Sequence, residues 1–416
     1  MAAKVIVVKS IFTAKAPMPA FYSNKEWANM LSKEVIDTTN LVGIKALKAT
    51  AFNKHLELTI QEATEGSFSR FVGLDAANQG MKLHLLLTRD EVGMHNEGTS
   101  TNERVDVYAL LQTTVLEQAK EQEVKVPEYD REHYKKVVQP FWYCSEKQPK
   151  EKLGDDGYRI FRNEYSKLFP GAETFKTSLL MAWKNTPVYE WELPDGSEVK
   201  VPVEGRLEIY QTNINGRVEP IFYTPNKGID MMKCYLKKTH EFIRNEGTRS
   251  LCANFTHSLD GWIRREMEMR CRMTKARALY IIEACENADI FAEQVPLYER
   301  MYQLFHEMGV TSSRWLYLLE DTPAILPSDL KDYLKQVVCD RLPSRAFDIM
   351  CVHDEYNATI NHLNALKVQY NEVMASIYAS HLVKYVNKTF KTHIPQGKFN
   401  PEVYNTIRAH DHLVKL

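Results

Sequence analysis

Apolar and polar residues alternate from Phe347 to Val352, and an extended pattern resumes from Asn357 to Ile360. This predicts a β-hairpin whose turn carries Val352-His353-Asp354-Glu355-Tyr356. Ser67 to Leu74 reads as another strand, ending at Asp75, and Gly80 to Thr88 as the start of an amphipathic helix with Leu83, Leu86 and Leu87 on one face. An aspartate leaving a strand as the chain turns into a helix is well placed to project into a cleft. Helical spacing recurs from Ser23, a good N-cap, to Val35, and from Thr101 to about Glu123. It returns after Asp130 toward Tyr143, where Pro140 should bend the helix or end it early. Residues 151–185, the stretch from Gly228 to about residue 340, and Asn361–Phe390 also read as helical. Residues 188–225 alternate around Pro194-Asp195-Gly196 and Asn215-Gly216, two hairpin turns. Before residue 20 the pattern gives only a short Val/Ile strand and a proline-containing loop.

At 416 residues the chain exceeds the size at which one core stops growing, so two or three subdomains are expected. A net charge of −1 means that any nucleic-acid surface must come from local segregation of Lys and Arg. The seven cysteines form no CxxC pair and read as reduced thiols. No stretch resembles a signal peptide or approaches the roughly 20 apolar residues of a membrane span. The expectation is a soluble protein of the cytoplasm.

Three stretches could carry chemistry. Carboxylates at a tight turn can hold hard divalent cations, which prefer oxygen ligands, although a solvated acidic turn would look the same. Arg131 and Lys135 share a helix face, and Tyr143 lies about 12 Å beyond Lys135, roughly the span from the phosphates of a nucleotide to its base. A basic surface helix with a core tyrosine is the plainer alternative. In Asn254-Phe255-Thr256-His257-Ser258-Leu259-Asp260-Gly261 a histidine and an aspartate lie three apart at an expected helix entrance, suited either to nucleic-acid contact or to ordinary capping. The pair His410 and His412 has no third ligand in view.

In order and spacing these strings resemble the single-subunit RNA polymerases of bacteriophages and mitochondria, which share a hand-like fold with family A DNA polymerases. LDAANQGMKLHLLLTRDEVG is similar to the first polymerase motif, with Asp75 in the place of the metal-binding aspartate, and Asp106-Val107-Tyr108 follows as in the family. Arg131, Lys135, Tyr143, Cys144 and Ser145 match the fingers motif, except that Cys144 replaces a usual glycine. NFTHSLDG is close to NFxHSxDG, and His353-Asp354 resembles the third motif.

The resemblance implies an α/β (α+β) right-hand fold of palm and fingers, with an antiparallel palm sheet, many helices, and no thumb or N-terminal domain. It implies that Asp75 and Asp354 hold two Mg²⁺ ions about 3.5–4 Å apart. Arg131 and Lys135 would neutralise the incoming triphosphate. Tyr143 would pack at the sugar and help select ribose, and His257 and His353 would contact nucleic acid. Gly80 stands where the DNA enzymes carry a glutamate that closes the space for a 2′-hydroxyl, and this favours RNA as product. Against it, Glu355 after His353-Asp354 is closer to the DNA-polymerase pattern. The alternatives are a reduced family A DNA polymerase and a degenerate polymerase fold serving as a nucleic-acid scaffold.

The implied organisation is an N-terminal extension or subunit contact (1–60), palm (61–125), fingers (126–250), palm (251–279), a helical insertion (280–343), and palm with a C-terminal helix (344–416). Within the fingers, residues 206–230 resemble a promoter-reading hairpin in which Asn215 or Arg217 could contact base edges. The family's DxxGR segment finds no match upstream of Asp75. A second polymerase subunit is therefore expected to supply it and the thumb, as in the heterodimeric enzymes of certain phages. The other expected partners are a DNA template, nascent RNA, nucleoside triphosphates and an accessory protein that binds single strands or opens promoters, in the cytoplasm of a bacterial host.

Overall fold

The computed structural model describes residues 18–39, 41–182, 186–203 and 251–414, with the backbone of 205–212, 218–222, 234–242, 244–250 and 415. The first predicted strand, Asn215 and Arg217 lie outside the described residues. Helices dominate, together with small antiparallel sheets. The strands are β1 (Phe71–Ala76), β2 (Val188–Glu192), β3 (Glu198–Pro202), β4 (Gly205–Thr212), β5 (Val218–Phe222), β6 (Cys234–Phe242), β7 (Met350–Val352), β8 (Glu355–Thr359) and β9 (Val414–Lys415). They form sheets ordered β7-β8-β1-β9, β2-β3 and β5-β4-β6.

In β1 the sequence Phe-Val-Gly-Leu-Asp-Ala turns Val72, Leu74 and Ala76 into the core and leaves Asp75 exposed. The register with β8 sets Leu74 opposite Tyr356 and Val72 opposite Ala358 on the buried face, and Asp75 opposite Glu355 on the other. β7 and β8 join through the two-residue turn His353-Asp354, as the alternation predicts. The helix Leu363–Ala379 packs against β8, and the helix Gln79–Thr88, buried along its whole length, packs in turn against that helix.

The string Arg89-Asp90-Glu91-Val92-Gly93 has a structural explanation of its own. The Arg89 guanidinium donates to the carbonyls of Tyr378, Ala379 and Ser380 at 2.9–3.1 Å, which are the acceptors left open at a helix end. Asp90 caps the helix Glu91–Glu97 through the Gly93 amide and also accepts from the Gly171 amide at 2.6 Å.

Several expectations are corrected. Residues 361–390 are two helices, Leu363–Ala379 and Leu382–Phe390, parted at Ser380, where Arg89 takes up the carbonyls. The stretch after Gly228, rich in Lys, Met and Leu, contains β6, because pairing with β4 overrides helix propensity. Asn254–Gly261 is not a helix entrance but lies inside the 29-residue helix Arg244–Arg272. The pattern also did not expose the helices Gly43–Glu65 and Pro401–Ala409 or the C-terminal β9. Most buried apolar residues of 273–342 gather round a second hydrophobic cluster that includes Trp315, Leu330 and Met301, while Leu304, Met308 and Val310 join the main core. No helix among the described residues is long and apolar enough to cross a membrane.

Replacing Arg89 with Met should leave the Tyr378 and Ala379 carbonyls without this donor, Ser380 keeping Gln396, and lower stability by about 3 kcal/mol or more. Denaturant unfolding of the variant measures this, and a loss below about 1 kcal/mol would contradict the assigned role.

Candidate active site

The end of β1 is the meeting point. The Ala76 amide donates to the Asp354 carbonyl at 3.0 Å, and the Ala77 amide to the Leu413 carbonyl at 3.1 Å, so the residue after Asp75 is pinned to the hairpin turn on one side and the C-terminal segment on the other. Asp75, at the end of the interior strand β1, and Asp354, in the β7–β8 turn, are far apart in sequence and thereby meet at one end of the sheet. Asp75 is exposed and Asp354 half-buried. The turn holds His353 at φ 55°, the left-handed region, and leaves its side chain exposed. Glu355, the third acid of this corner, leans along the sheet over Gly73: a Cβ there would lie 2.0 Å from its Oε1.

A second cluster flanks the aspartates. Asp130 caps the helix Arg131–Trp142 by accepting from the His133 amide, and Tyr134, Val137, Val138 and Phe141 bury one face. Pro140 lies in the last turn, and the chain leaves through Tyr143 into Cys144, whose φ of 67° explains why a glycine suits that position. The turn aims Tyr143 at His257. Their rings stack with centroids 4.6 Å apart and 4° between planes. On its other side the Tyr143 hydroxyl abuts Gly80, where an added Cβ would come within 2.8 Å.

Behind this pair lies Asp260, one helical turn from His257, with Oδ2 3.9 Å from the imidazole Nδ1. Its Oδ1 accepts from Gln79 Nε2 at 3.1 Å. Burial pushes the Asp260 carboxyl up to about 7, against the pull of the Gln79 hydrogen bond and with the Asp354 charge adding to the rise. Burial holds the His257 imidazole below its ordinary value, so it is neutral at pH 7.

Arg131 is placed toward the other aspartate. Its guanidinium pairs with Asp106 at 2.6 Å and lies over the Tyr108 ring, 5.3 Å from the centroid. The buried Tyr108 hydroxyl in turn lies within the field of Asp75. Lys135, half-buried one turn on, makes no ion pair among the described residues. A cleft of about 370 Å³ opens here, lined by Asn78, Lys82, Glu97, Asp106, Tyr108 and Arg131 among others.

Of the residues singled out from sequence, the fold brings Asp354, Gly80, Tyr143 and His257 together, sets Asp75 beside the Asp354 backbone, and carries Arg131 and Lys135 on the helix that leads to Tyr143. His410 is absorbed structurally: its Nε2 bonds the Gly98 carbonyl at 2.9 Å. Asp260 and Gln79 were missed as functional residues. The three-residue spacing of His257 and Asp260 is visible in the sequence without a role for the aspartate, whereas nothing in the pattern marks Gln79. No family model matches the chain, and no curated protein matches it either.

The donor set suits a hard cation, since Asp75 and Asp354 are carboxylates at the same end of the sheet, the first exposed and the second half-buried. Among the described residues no three His, Cys, Asp or Glu side chains form a closed metal cage. The arrangement fits an ion that takes one or two carboxylates and completes its shell with water and phosphate oxygens, as Mg²⁺ does.

Asp260 gives a pH prediction. Its raised pKa means that ionisation costs the folded state nothing below about pH 4, increasingly more as pH rises toward 7, and its full amount above 7. In metal-free buffer Asp260→Asn should therefore stabilise by on the order of 4 kcal/mol at pH 8 but only roughly 1.5 kcal/mol at pH 5. Thermal unfolding at both pH values tests this, and equal gains would refute it.

Proposed function

We propose that this chain is the catalytic palm-and-fingers part of a DNA-directed RNA polymerase, adding ribonucleotides on a template together with a second polypeptide. The observation that carries the reading is the end of β1, where the Ala76 amide bonds the Asp354 carbonyl beside Asp75, and the Asp354 charge reaches Tyr143 and Asp260 next to the Tyr143–His257 stack. Two carboxylates at one end of a sheet, a flat aromatic rim and a basic helix are what nucleotidyl transfer needs, because positioning and charge compensation supply most of its catalysis.

Asp75 and Asp354 would hold the metal ions. Bound there, Mg²⁺ supplies a lowered pKa for the attacking 3′-hydroxyl and neutralisation of the leaving pyrophosphate. Arg131 and Lys135 compensate the triphosphate charge. Arg131 must exchange its Asp106 partner to do so, whereas Lys135 is ready. Tyr143 and the neutral His257 offer a planar surface to the sugar and nascent base pair, and His353 reaches out from the turn toward the nucleic acid. Without a side chain at Gly80 the Tyr143 hydroxyl packs against this helix, and a glutamate there would displace it; as the resemblance implies, the glycine favours RNA over DNA as product.

Asp75→Asn or Asp354→Asn should lower nucleotide addition by about 1,000-fold or more, the scale on which a fixed charge acts at a reacting centre, while template binding stays within about twofold. Primer extension and template binding, measured on the chain with whatever copurifies from its native host, test this, and a variant that elongates normally would end the reading. Gly80→Glu should collapse addition of ribonucleotides while sparing deoxyribonucleotides. An equal loss with both would remove the assigned role of that glycine.

A further inference from the structure

Gln79 occupies a position that its role in folding alone does not account for. It opens the buried helix Gln79–Thr88 and is itself 3% exposed. Its carbonyl Oε1 accepts from the Tyr370 hydroxyl at 2.6 Å, and its amide Nε2 donates to Asp260 Oδ1 at 3.1 Å. Tyr370 belongs to the core helix Leu363–Ala379 and is fully buried. Asp260 Oδ1 accepts from the amide nitrogen and the Tyr370 hydroxyl donates to the amide oxygen, so the side chain is fixed at both ends.

The contacts continue to the surface and return. Asp260 faces His257, His257 stacks on Tyr143, and Tyr143 rests on Gly80, the residue next to Gln79. The far side of this ring is locked in the core, and its near side is the half-open aromatic pair. A shift of Asp260 would move the histidine edge without any loss of core volume. Fully satisfied buried networks of this kind rigidify and specify one arrangement.

We propose that Gln79, held by Tyr370, is a positioning residue that sets the discrimination between ribose and deoxyribose by fixing Asp260 and, through it, the His257–Tyr143 pair. The inference rests on the function proposed above. It predicts a loss confined to the nucleotide with a 2′-hydroxyl, because only that group is read by the edge being positioned.

The test uses the full chain with its copurifying partner and compares kcat/KM for ATP and dATP. Gln79→Met keeps the volume and removes both hydrogen bonds, and Tyr370→Phe removes only the distal one. The ATP-to-dATP preference should fall about tenfold in the first and severalfold in the second, about the weight of one or two hydrogen bonds, with addition of dATP nearly unmoved. An unchanged preference, or an equal loss with both nucleotides, overturns the inference while leaving the polymerase reading intact. If the unsubstituted enzyme adds no nucleotide, the underlying reading fails instead. A readout independent of activity is the ¹⁵N spectrum of the histidines. The His257 signal, assigned with His257→Gln, should shift in both variants, and a signal that stays in place shows that nothing is relayed.

Discussion

The site depends first on the register of a short antiparallel ladder. Side chains alternate across a strand, so sliding β1 by one residue against β8 would carry Asp75 into the core and bring Leu74 out to the open face. The pairs Leu74–Tyr356 and Val72–Ala358 make that slip costly, because they must stay buried for the sheet to sit on its helices. Hydrophobic burial on one face thus positions two like charges at the other. The amide of Ala76, bonded to the Asp354 carbonyl, closes the register where the carboxylates stand.

Behind the ladder the fold holds buried polar side chains in hydrogen bonds. In the helix Gln79–Thr88 Lys82 donates to the Leu413 carbonyl, His84 meets the Thr256 hydroxyl, and Gln79 links Tyr370 with Asp260. His84, pushed down to about 3 by burial, stays neutral and serves packing rather than chemistry. Arg89 and Asp90 then tie this helix to the ends of others. The result is a rigid floor from which the exposed groups project: Asp75, His353 and the Tyr143–His257 pair. Precise placement of reacting groups requires such a floor.

Local signals made much of this legible in the sequence. The hairpin at His353-Asp354, the strand ending near Asp75, the Ser23 and Asp130 caps and the helix from residue 79 all follow from period, capping and turn chemistry. Long-range effects were harder to read. β6 is a strand because β4 pairs with it, the long C-terminal helix divides because Arg89 reaches its carbonyls, and Asp260 matters because Gln79 and Asp354 lie beside it in space. The nearness of Asp75 to Asp354 came from the resemblance of ordered motifs and from no feature of composition or periodicity. The double apolar character of Gly43–Glu65, with Ile44 and Leu47 exposed and Leu56 buried, blurred the helical period there and hid the helix.

Replacing Mg²⁺ by Fe²⁺ under oxidising conditions and mapping where the backbone is cut tests most directly whether Asp75 and Asp354 share a metal. Cleavage should appear in both segments, around residues 73–77 and 352–356, be suppressed by excess Mg²⁺, and vanish from both when either aspartate becomes asparagine. Cuts at only one segment, or at neither, would show that the two carboxylates do not hold a common ion.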